Sequence, residues 1–206
     1  MITSTNLKAA LARWCDALEA AAPELNALDA QLGDGDLGAT LHKCAQNVRE
    51  ALPGMPDELA GVFERCASAC AKASGSSFGT LLALGFLAVS RELAGARALS
   101  KADVVRLLDG VVASLAARGG ASLGDKTMLD SLDAIGRALE LAPEADAPRA
   151  AIDAAEEALA RFRDKPNRIG RARMFADKSV GMDDPGMVAV LRMAQALQAT
   201  QTRIEG

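Results

Sequence analysis

The sequence predicts an all-α fold: a single domain over residues 1–206, built as a bundle or barrel of about eight antiparallel helices. Half of the residues are apolar, but many of these are alanine and only six are aromatic. Alanine, leucine, glutamate and arginine favour helix, whereas the β-branched and aromatic residues typical of strands are few. No stretch alternates with the period of two that a half-buried strand requires. Connections between the helical segments are short, which makes neighbouring helices antiparallel.

The first half of the chain contains five predicted helical segments. The first has Leu7, Leu11, Trp14 and Leu18 on one face, with the spacing of an amphipathic helix. Pro23 separates it from a short second segment, because proline in a helix interior removes a backbone hydrogen bond. The fifth segment is apolar on most sides and is expected to be buried. The expected bounds are Thr5 to Ala21, Pro23 to Leu32, Asp36 to Pro53, Asp57 to Ala73 and Ser77 to Leu93.

The second half of the chain contains four more predicted helices. Ser100 is a typical N-cap for the first of them, and Pro185 suits the first turn of the last. A long connection, from Asp164 to Asp184, precedes that last helix; loops of this length in compact domains are usually functional or disordered. Its content favours function. The expected helices are Ser100 to Arg118, Asp125 to Leu141, Ala147 to Arg163 and Pro185 to about Gln201.

Charge and hydropathy exclude several classes of partner. The formal net charge is −4, which gives no general attraction to nucleic acid or to anionic membranes. The longest apolar stretch, Phe78 to Val89, is shorter than the about 20 residues that a bilayer span requires. The N-terminal residues MITSTNLKAALARW lack the pattern of a signal peptide. We therefore expect a cytoplasmic protein with no nucleic-acid and no membrane partner.

The four cysteines predict reduced thiols in the core. A chain of 206 residues does not need disulfides for stability, and no export signal is evident. Cys66 and Cys70 are one helical turn apart, but His42 is the only histidine and no further paired ligand motif occurs. A zinc site is therefore not expected.

The most distinctive local feature is an acidic segment between two predicted helices. Asp29, Asp34 and Asp36 lie within eight residues, and Gly33 and Gly35 let the chain fold back so that the carboxylates converge. Crowding three negative charges costs free energy unless a cation neutralises them. Carboxylate oxygens without sulfur or imidazole select a hard cation, Mg²⁺ or Ca²⁺.

Two interpretations of the acidic segment compete with magnesium. A calcium EF-hand requires an acidic residue at loop position twelve, where this chain has Thr40 or Ala45, depending on the starting aspartate. That interpretation fails. Alternatively, the aspartates act as helix caps and turn formers on a solvated loop. The segment alone does not decide between this and Mg²⁺, which uses one or two carboxylates and completes its shell with water and phosphates.

Two loops rich in glycine and serine are suited to an anion. Ala73 to Thr80 lies before a helix, where backbone N–H groups and hydroxyls can bind a phosphate, although helix hairpins often use the same residues. Gly119 to Met128 superficially resembles a P-loop, but Asp125 interrupts the required Gly-Lys-Ser/Thr ending and no strand precedes it. What remains is a glycine-rich loop before a helix. Met128 is a candidate for packing on an adenine face.

A basic segment occupies the long connection before the last helix. From Arg161 to Arg173 the chain carries five arginines and one lysine against one aspartate. Such charge runs are usually solvated faces. In a long loop, however, a mobile guanidinium could close over a polyphosphate.

Together the four segments resemble the nucleotide-binding L subunit of bacterial dihydroxyacetone kinases, which is equivalent to the C-terminal domain of the single-chain kinases. The resemblance rests on LDAQLGDGDLG, ASGSSFGT, RGGASLGDKTM and GRARMFADKSVGMDDPG, in the family's order from Leu28 to Gly186. It implies an up-and-down barrel of eight antiparallel helices with the nucleotide and paired Mg²⁺ at one end.

The resemblance also implies roles for particular residues. Asp29, Asp34 and Asp36 match the aspartates that hold two Mg²⁺ ions at the nucleotide phosphates, and Arg171 is the candidate catalytic residue, which offsets charge on the β- and γ-phosphates. The positions that match nucleotide contacts are Leu37, Gly38, Ala39, Thr40, Ala73, Ser74, Gly119, Met128, Arg171, Asp183, Asp184 and Pro185.

Some positions depart from the family's pattern. Leu37 stands where the family commonly has histidine, and Thr40 where it has asparagine, which makes more hydrogen bonds. Met174 replaces a usual aromatic residue and Met182 a common histidine. These departures concern nucleotide contacts and leave the three aspartates unchanged.

The implied function is phosphoryl transfer with ADP or ATP and Mg²⁺, for dihydroxyacetone or a related small ketose held on a separate K-type subunit. A chain of this size resembles the phosphoenolpyruvate-dependent system, in which a phosphotransferase-system protein recharges bound ADP; ATP-dependent kinases for other small ketoses are the alternative. A homodimer is one further candidate assembly. The competing hypothesis is a non-catalytic nucleotide sensor or adaptor, motivated by Leu37 and Thr40.

Overall fold

The computed structural model describes residues 1–73 and 76–198, in which eight α-helices account for most of the chain. Two short strands, β1 (Ile2–Thr3) and β2 (Ala98–Leu99), pair antiparallel beside the helices. Three 3₁₀ helices lie in connections, at Leu52–Gly54, Glu144–Asp146 and Arg171–Ser179. The helices are α1 (Ser4–Leu32), α2 (Leu37–Ala51), α3 (Leu59–Ala71), α4 (Ser77–Glu92), α5 (Lys101–Gly119), α6 (Met128–Leu141), α7 (Ala147–Arg163) and α8 (Pro185–Leu197).

The eight helices form a closed ring. Each helix packs against the next along the chain, and α8 returns to pack against α1, where Arg192 forms an ion pair with Glu24. Because consecutive helices joined by short connections run antiparallel, the N-termini of α2, α4, α6 and α8 lie at the same end of the ring as the C-termini of the other four. The all-α, up-and-down prediction is confirmed.

The core is continuous around the ring. Leu18 and Leu25 of α1 and Leu41 and Val48 of α2 are fully buried, and Met187 brings α8 into the same cluster. The four cysteines are free and buried in this core, as the sequence predicts. Burial raises the pKa of Cys15 to about 11 and that of Cys66 to about 12, so these thiols stay protonated at neutral pH.

The prediction that Pro23 separates two helices is wrong. A single helix, α1, runs through it from Ser4 to Leu32. Proline costs a hydrogen bond, but Ala21, Ala22 and Leu25 around it are buried against the core, and tertiary packing overrides the local preference.

Three other predictions need correction. Helix α4 is not buried on most sides, because only Gly79, Leu82 and Gly85 within it are buried and its other apolar side chains are mainly half-exposed. Helix α6 begins at Met128 rather than at Asp125, since Thr127 is its N-cap. The long loop is not irregular throughout, since it contains the 3₁₀ helix Arg171–Ser179.

Two expectations fall outside the described residues: the nucleotide contact of Ser74 and the end of the last helix near Gln201. Across residues 1–73 and 76–198, no helix combines the length and apolar character that crossing a lipid bilayer requires.

Candidate functional site

The three predicted metal ligands meet at the end of the ring where the even-numbered helices begin. Asp29 is in the last turn of α1, while Asp34 and Asp36 lie in the connection to α2. One carboxylate oxygen from each lies within 4.8 Å of the others. Gly35 makes the reversal with a φ of +76°, a left-handed conformation that glycine adopts without steric cost. The sequence spacing therefore produces the convergence that it predicted.

Asp29 is fixed by the first turn of α2. Its Oδ2 accepts hydrogen bonds from the backbone N–H groups of Asp36, at 2.9 Å, and Leu37, at 3.3 Å. In the same way, Asn26 Oδ1 accepts a bond from Ala39 N–H at 2.9 Å. Side chains of α1 thus cap α2, and they satisfy N–H groups that a helix start leaves without partners.

This capping requires α1 and α2 to lie very close together. A β-carbon built on Gly38 would overlap the Ala22 carbonyl oxygen and lie 2.8 Å from Asn26 Oδ1. Only glycine fits between the two backbones. Gly38 therefore has a structural reason to be glycine, in addition to its predicted place beside the nucleotide.

The donor set of the acidic cluster fits a hard cation. All three ligands are carboxylate oxygens, the type that Mg²⁺ and Ca²⁺ prefer, and Asp34 is exposed. Within the described ranges this is the one group of three or more acidic, histidine or cysteine side chains with converging ligand atoms. Asp29, Asp34 and Asp36 are therefore the residues that could hold a divalent ion.

Arg171, the predicted catalytic residue, reaches this cluster from the long loop. Its Nη1 forms an ion pair with Asp34 Oδ2, and both side chains are partly exposed. The guanidinium therefore lies beside the carboxylates that would hold a metal, although Arg171 and Asp34 are more than 130 residues apart.

A cleft extends from the acidic cluster across the end of the ring. Its wall includes the first residues of α2, α4, α6 and α8, and the positive ends of these four helix dipoles favour an anion. One side is apolar. The lining residues include Asp29, Asp34, Asp36, Leu37, Phe78, Leu81, Met128, Ile169, Arg171, Asp184, Pro185 and Gly186.

Six described residues predicted to contact nucleotide are not part of this wall. Gly38 is buried at the α1–α2 contact, and Ala39 and Thr40 follow it in α2. Ala73 is buried just after α3, and Gly119 is the last residue of α5. The sixth, Asp183, is described below.

Adjacent aspartates before α8 have different environments. Asp183 pairs with Arg163 through two bonds, of 2.8 and 2.9 Å. Asp184 is buried and caps α8, accepting bonds from Met187 N–H at 2.9 Å and from Asn167 Nδ2 at 2.7 Å. Burial raises the pKa of Asp184 to about 6, although both hydrogen bonds and the positive charge of Lys126 oppose the shift.

Sequence reasoning missed several residues that build this end of the ring. Asn26 and Asn167 gave no local signal, because their partners are distant in sequence. Lys126 lies in a predicted segment, but its burial was not foreseen. The start of α6 was recoverable, since Thr127 and Asp130 have the spacing of a capping box. His42, next to the nucleotide segment in sequence, does not line the cleft.

The fold and the site define a class: all-helical ring domains with a carboxylate cluster and four helix N-termini at one end. Comparison of the sequence with family models places the chain in a particular family. Residues 31–199 match the DAK2 domain model, and the chain belongs to that family.

Individual relatives agree with this assignment. The chain is 33% identical over 190 residues to D-erythrulose kinase of Mycolicibacterium smegmatis, covering 88% of this chain and 33% of the relative. It is 26% identical over 193 residues to the ADP-binding subunit DhaL of the PEP-dependent dihydroxyacetone kinase of Escherichia coli, covering 91% of this chain and 92% of that subunit.

A solved structure has the same fold. The crystal structure of dihydroxyacetone kinase from Citrobacter freundii, in complex with AMP-PNP and Mg²⁺, superposes with a TM-score of 0.74 at 27% identity, covering 92% of this chain and 33% of that one. The chain thus spans about a third of the length of several kinases that it matches, and nearly all of the separate E. coli subunit.

Proposed function

We propose that this chain is the nucleotide- and Mg²⁺-binding component of a kinase for dihydroxyacetone or a related small ketose. The observation that carries the proposal is the convergence of Asp29, Asp34 and Asp36 at the end of the ring where four helices begin. Carboxylates attract a divalent cation, and helix N-termini attract phosphate. A metal-bound polyphosphate is the ligand that satisfies both.

The relatives support this assignment by what they bind and phosphorylate. The E. coli relative is named as an ADP-binding subunit, and the C. freundii structure contains AMP-PNP and Mg²⁺. Other relatives are named as erythrulose kinases, which supports a small ketose as the proposed acceptor and does not single out one sugar.

The carboxylates would hold Mg²⁺, as two ions by the family resemblance, and the bound Mg²⁺ would neutralise charge on the nucleotide phosphates. Asp29 is oriented for this by the two N–H groups of α2, which hold one of its oxygens. Asp34 and Asp36 extend from a turn that Gly35 shapes. The chain thus fixes one ligand firmly and places two others on a short loop.

Arg171 acts as a clamp in this mechanism. A phosphate, like a carboxylate, has two oxygens that can accept hydrogen bonds from a planar guanidinium. Arg171 can therefore exchange its bond with Asp34 for one to the nucleotide. There it would offset charge that develops during transfer. Phosphoryl transfer depends mainly on such positioning and charge neutralisation.

The apolar side of the cleft supplies a surface for the base. Leu37, Phe78, Leu81 and Met128 line it beside the acidic cluster. Adenine is flat and largely apolar, so these side chains can cover its faces while the phosphates extend toward the aspartates. Leu37 contributes apolar contact here and cannot donate the hydrogen bond of the histidine common in the family.

The ketose itself is expected on a K-type subunit or domain. The E. coli relative is one subunit of a larger kinase, and about two thirds of the longer relative's chain lies outside the part that this domain covers. We propose such a component as partner. A phosphotransferase-system protein as phosphoryl donor, and a homodimer, remain proposals from the family resemblance.

The test is calorimetric titration with ADP, with and without Mg²⁺, followed by reconstitution with a K-type subunit, Mg-ATP and dihydroxyacetone. Magnesium-dependent binding followed by phosphoryl transfer supports the kinase. Binding without transfer to dihydroxyacetone or erythrulose would favour the sensor or adaptor. Absence of any Mg²⁺-dependent nucleotide binding would reject both.

A further inference from the structure

A buried lysine outside the loop that carries Arg171 forms hydrogen bonds with both ends of that loop. Lys126 lies just before α6 and is 1% exposed. Its Nζ donates to three backbone carbonyls: Arg163 at 3.1 Å, Lys165 at 2.8 Å and Ser179 at 2.7 Å. These carbonyls come from both ends of the long loop. One ammonium group therefore joins the loop's start to its end.

Two neighbours extend this contact. Asn167 Nδ2 donates to the Lys126 carbonyl at 3.1 Å and to Asp184 Oδ2 at 2.7 Å, which links the loop to the start of α8. Asn167 N–H also donates to Ser179 Oγ at 2.8 Å, a second bond between the two ends of the loop. We call Lys126, Asn167 and Ser179 the loop clasp.

The backbone of Lys126 indicates that its side chain is needed there. Within residues 1–73 and 76–198 it is the only non-glycine residue with a positive φ, at +63°. Residues with a β-carbon adopt this conformation at a cost, and such positions persist only where surrounding contacts determine them. Three bonds from a buried ammonium are contacts of that kind. Burial also lowers the pKa of Lys126, and Asp184 opposes that shift.

The clasp is the buried part of the loop's attachment. The other side-chain link between its ends, the ion pair of Arg163 with Asp183, is partly exposed, and exposed pairs contribute little. Beyond the clasp, Arg171 extends to Asp34 on the far side of the cleft. Thr127 and Met128, directly after Lys126, line the same cleft.

We propose that Lys126 is a positioning residue, which holds both ends of the Arg171 loop so that the guanidinium stays over the acidic cluster. The action of Arg171 on nucleotide rests on the proposed function, whereas the attachment of the loop by Lys126 does not. The clasp itself is a property of the free chain and is tested without ligand.

The first experiment is limited trypsin digestion of the nucleotide-free chain, with cleavage after Arg168, Arg171 and Arg173 followed by mass spectrometry. Lys126→Met keeps most of the length of the unbranched side chain and removes its ammonium group. We expect cleavage at these sites to accelerate about tenfold or more, since proteolysis follows the population of the open loop. Unchanged cleavage in a folded variant would overturn the proposal.

The matched control is Lys101→Met. Lys101 also donates from Nζ to two backbone carbonyls, those of Glu140 and Ala142, but at the opposite end of the ring. Lys101→Met should leave cleavage in the Arg171 loop at the wild-type rate. Equal acceleration in both variants would mean that general destabilisation opens the loop, and it would refute the specific role of Lys126.

The second experiment is a double-mutant cycle on phosphoryl transfer in the reconstituted kinase, with Lys126→Met and Arg171→Ala. If Lys126 acts through Arg171, the double variant should be no slower than Arg171→Ala alone. Additive losses would assign Lys126 a merely structural role. If the wild-type chain does not bind Mg-nucleotide, the proposed function is wrong, and the digestion experiment alone then tests the loop clasp.

Ser179→Ala covers the case in which Lys126→Met does not fold. It removes the hydroxyl that accepts from Asn167 N–H and donates to the Ala176 carbonyl at 2.6 Å, while the lysine stays in place. We expect faster cleavage at the same three sites, by a smaller factor. Wild-type cleavage in this variant would then overturn the clasp.

Discussion

Gly38→Ala tests whether the close contact of α1 and α2 builds the acidic site. The new methyl group would overlap the Ala22 carbonyl oxygen and lie 2.8 Å from Asn26 Oδ1. Neither atom can yield easily, because one belongs to the backbone of α1 and the other accepts the N–H of Ala39. The helices must therefore separate near residue 38.

The expected loss of stability follows from two opposing terms. Alanine gains roughly 0.5–1 kcal/mol over glycine inside a helix. Forcing a methyl group into a closed backbone contact costs typically 1–3 kcal/mol, occasionally more. Because the overlap is with backbone, we expect a net loss of about 2 kcal/mol, which lowers Tm by roughly 4–8 °C for a domain of this size.

The separation should also affect ligand binding. Asp29 on α1 is held by the N–H groups of Asp36, just before α2, and of Leu37, its first residue, at 2.9 and 3.3 Å, so moving α2 loosens the acidic cluster. Thermal unfolding and titration with Mg-ADP measure the two effects, and we expect affinity to fall about tenfold, which corresponds to 1.4 kcal/mol.

Gly110→Ala is the control for this substitution. Gly110 lies inside α5, and a β-carbon there would have nothing within 4 Å, so alanine should raise Tm slightly and leave binding unchanged. A Gly38→Ala chain with wild-type Tm and wild-type affinity would refute the reasoning, because the site would then not depend on the close contact of the two helices.

Three further predictions concern charged groups. Asp34→Asn should abolish Mg²⁺-dependent ADP binding in calorimetry without loss of helical circular dichroism, whereas Asp57→Asn, at an exposed carboxylate paired with Lys8, should change neither; unfolding of the first variant would make Asp34 structural. Arg171→Ala should lower the phosphoryl-transfer rate about 100-fold or more at nearly unchanged Tm, while Arg173→Ala on the same loop should not; equal rates would remove Arg171 from the site. Burial raises the pKa of Asp184 to about 6, above its value of 3.8 in the unfolded chain, so the native state binds the proton more tightly than the unfolded state does. As the pH rises from about 4 to about 6, the free energy of unfolding of the wild type should therefore fall by on the order of 3 kcal/mol relative to Asp184→Asn. Denaturant unfolding of both proteins across this range measures the difference, and a pH-independent difference would contradict the assignment.

The helical fold was predictable because its signals are local. Seven of the eight helices were expected close to their observed bounds, since glycine, serine or proline marks each break and apolar residues recur at helical spacing. The prediction failed for α1, where Pro23 suggested a break. Burial of the residues around Pro23 depends on α2 and α8, which a local pattern does not contain.

The candidate site was predictable only in part, for the same reason. Asp29, Asp34 and Asp36 lie within eight residues, so their convergence needs one turn. A role for Arg171 at the nucleotide phosphates was expected only through the family resemblance and the polyphosphate argument, and its ion pair with Asp34 was not predicted. The contacts of Lys126 cross 37 to 53 residues and gave no local sign, because a lysine in a glycine-rich loop is ordinarily solvated.

The topology explains why four separate sequence segments contribute to one end of the molecule. In an up-and-down ring every second connection lies at the same end, and the four segments are the connections that precede α2, α4, α6 and α8. Each therefore brings a helix N-terminus, whose partial positive charge also stabilises nearby carboxylates. Asp29 accepts hydrogen bonds from the N–H groups of Asp36 and Leu37 at the start of α2, and Asp34 forms an ion pair with Arg171. The protein thus offsets part of the repulsion among the aspartates by itself, which is why Asp34→Asn should remove ligand binding without unfolding the ring.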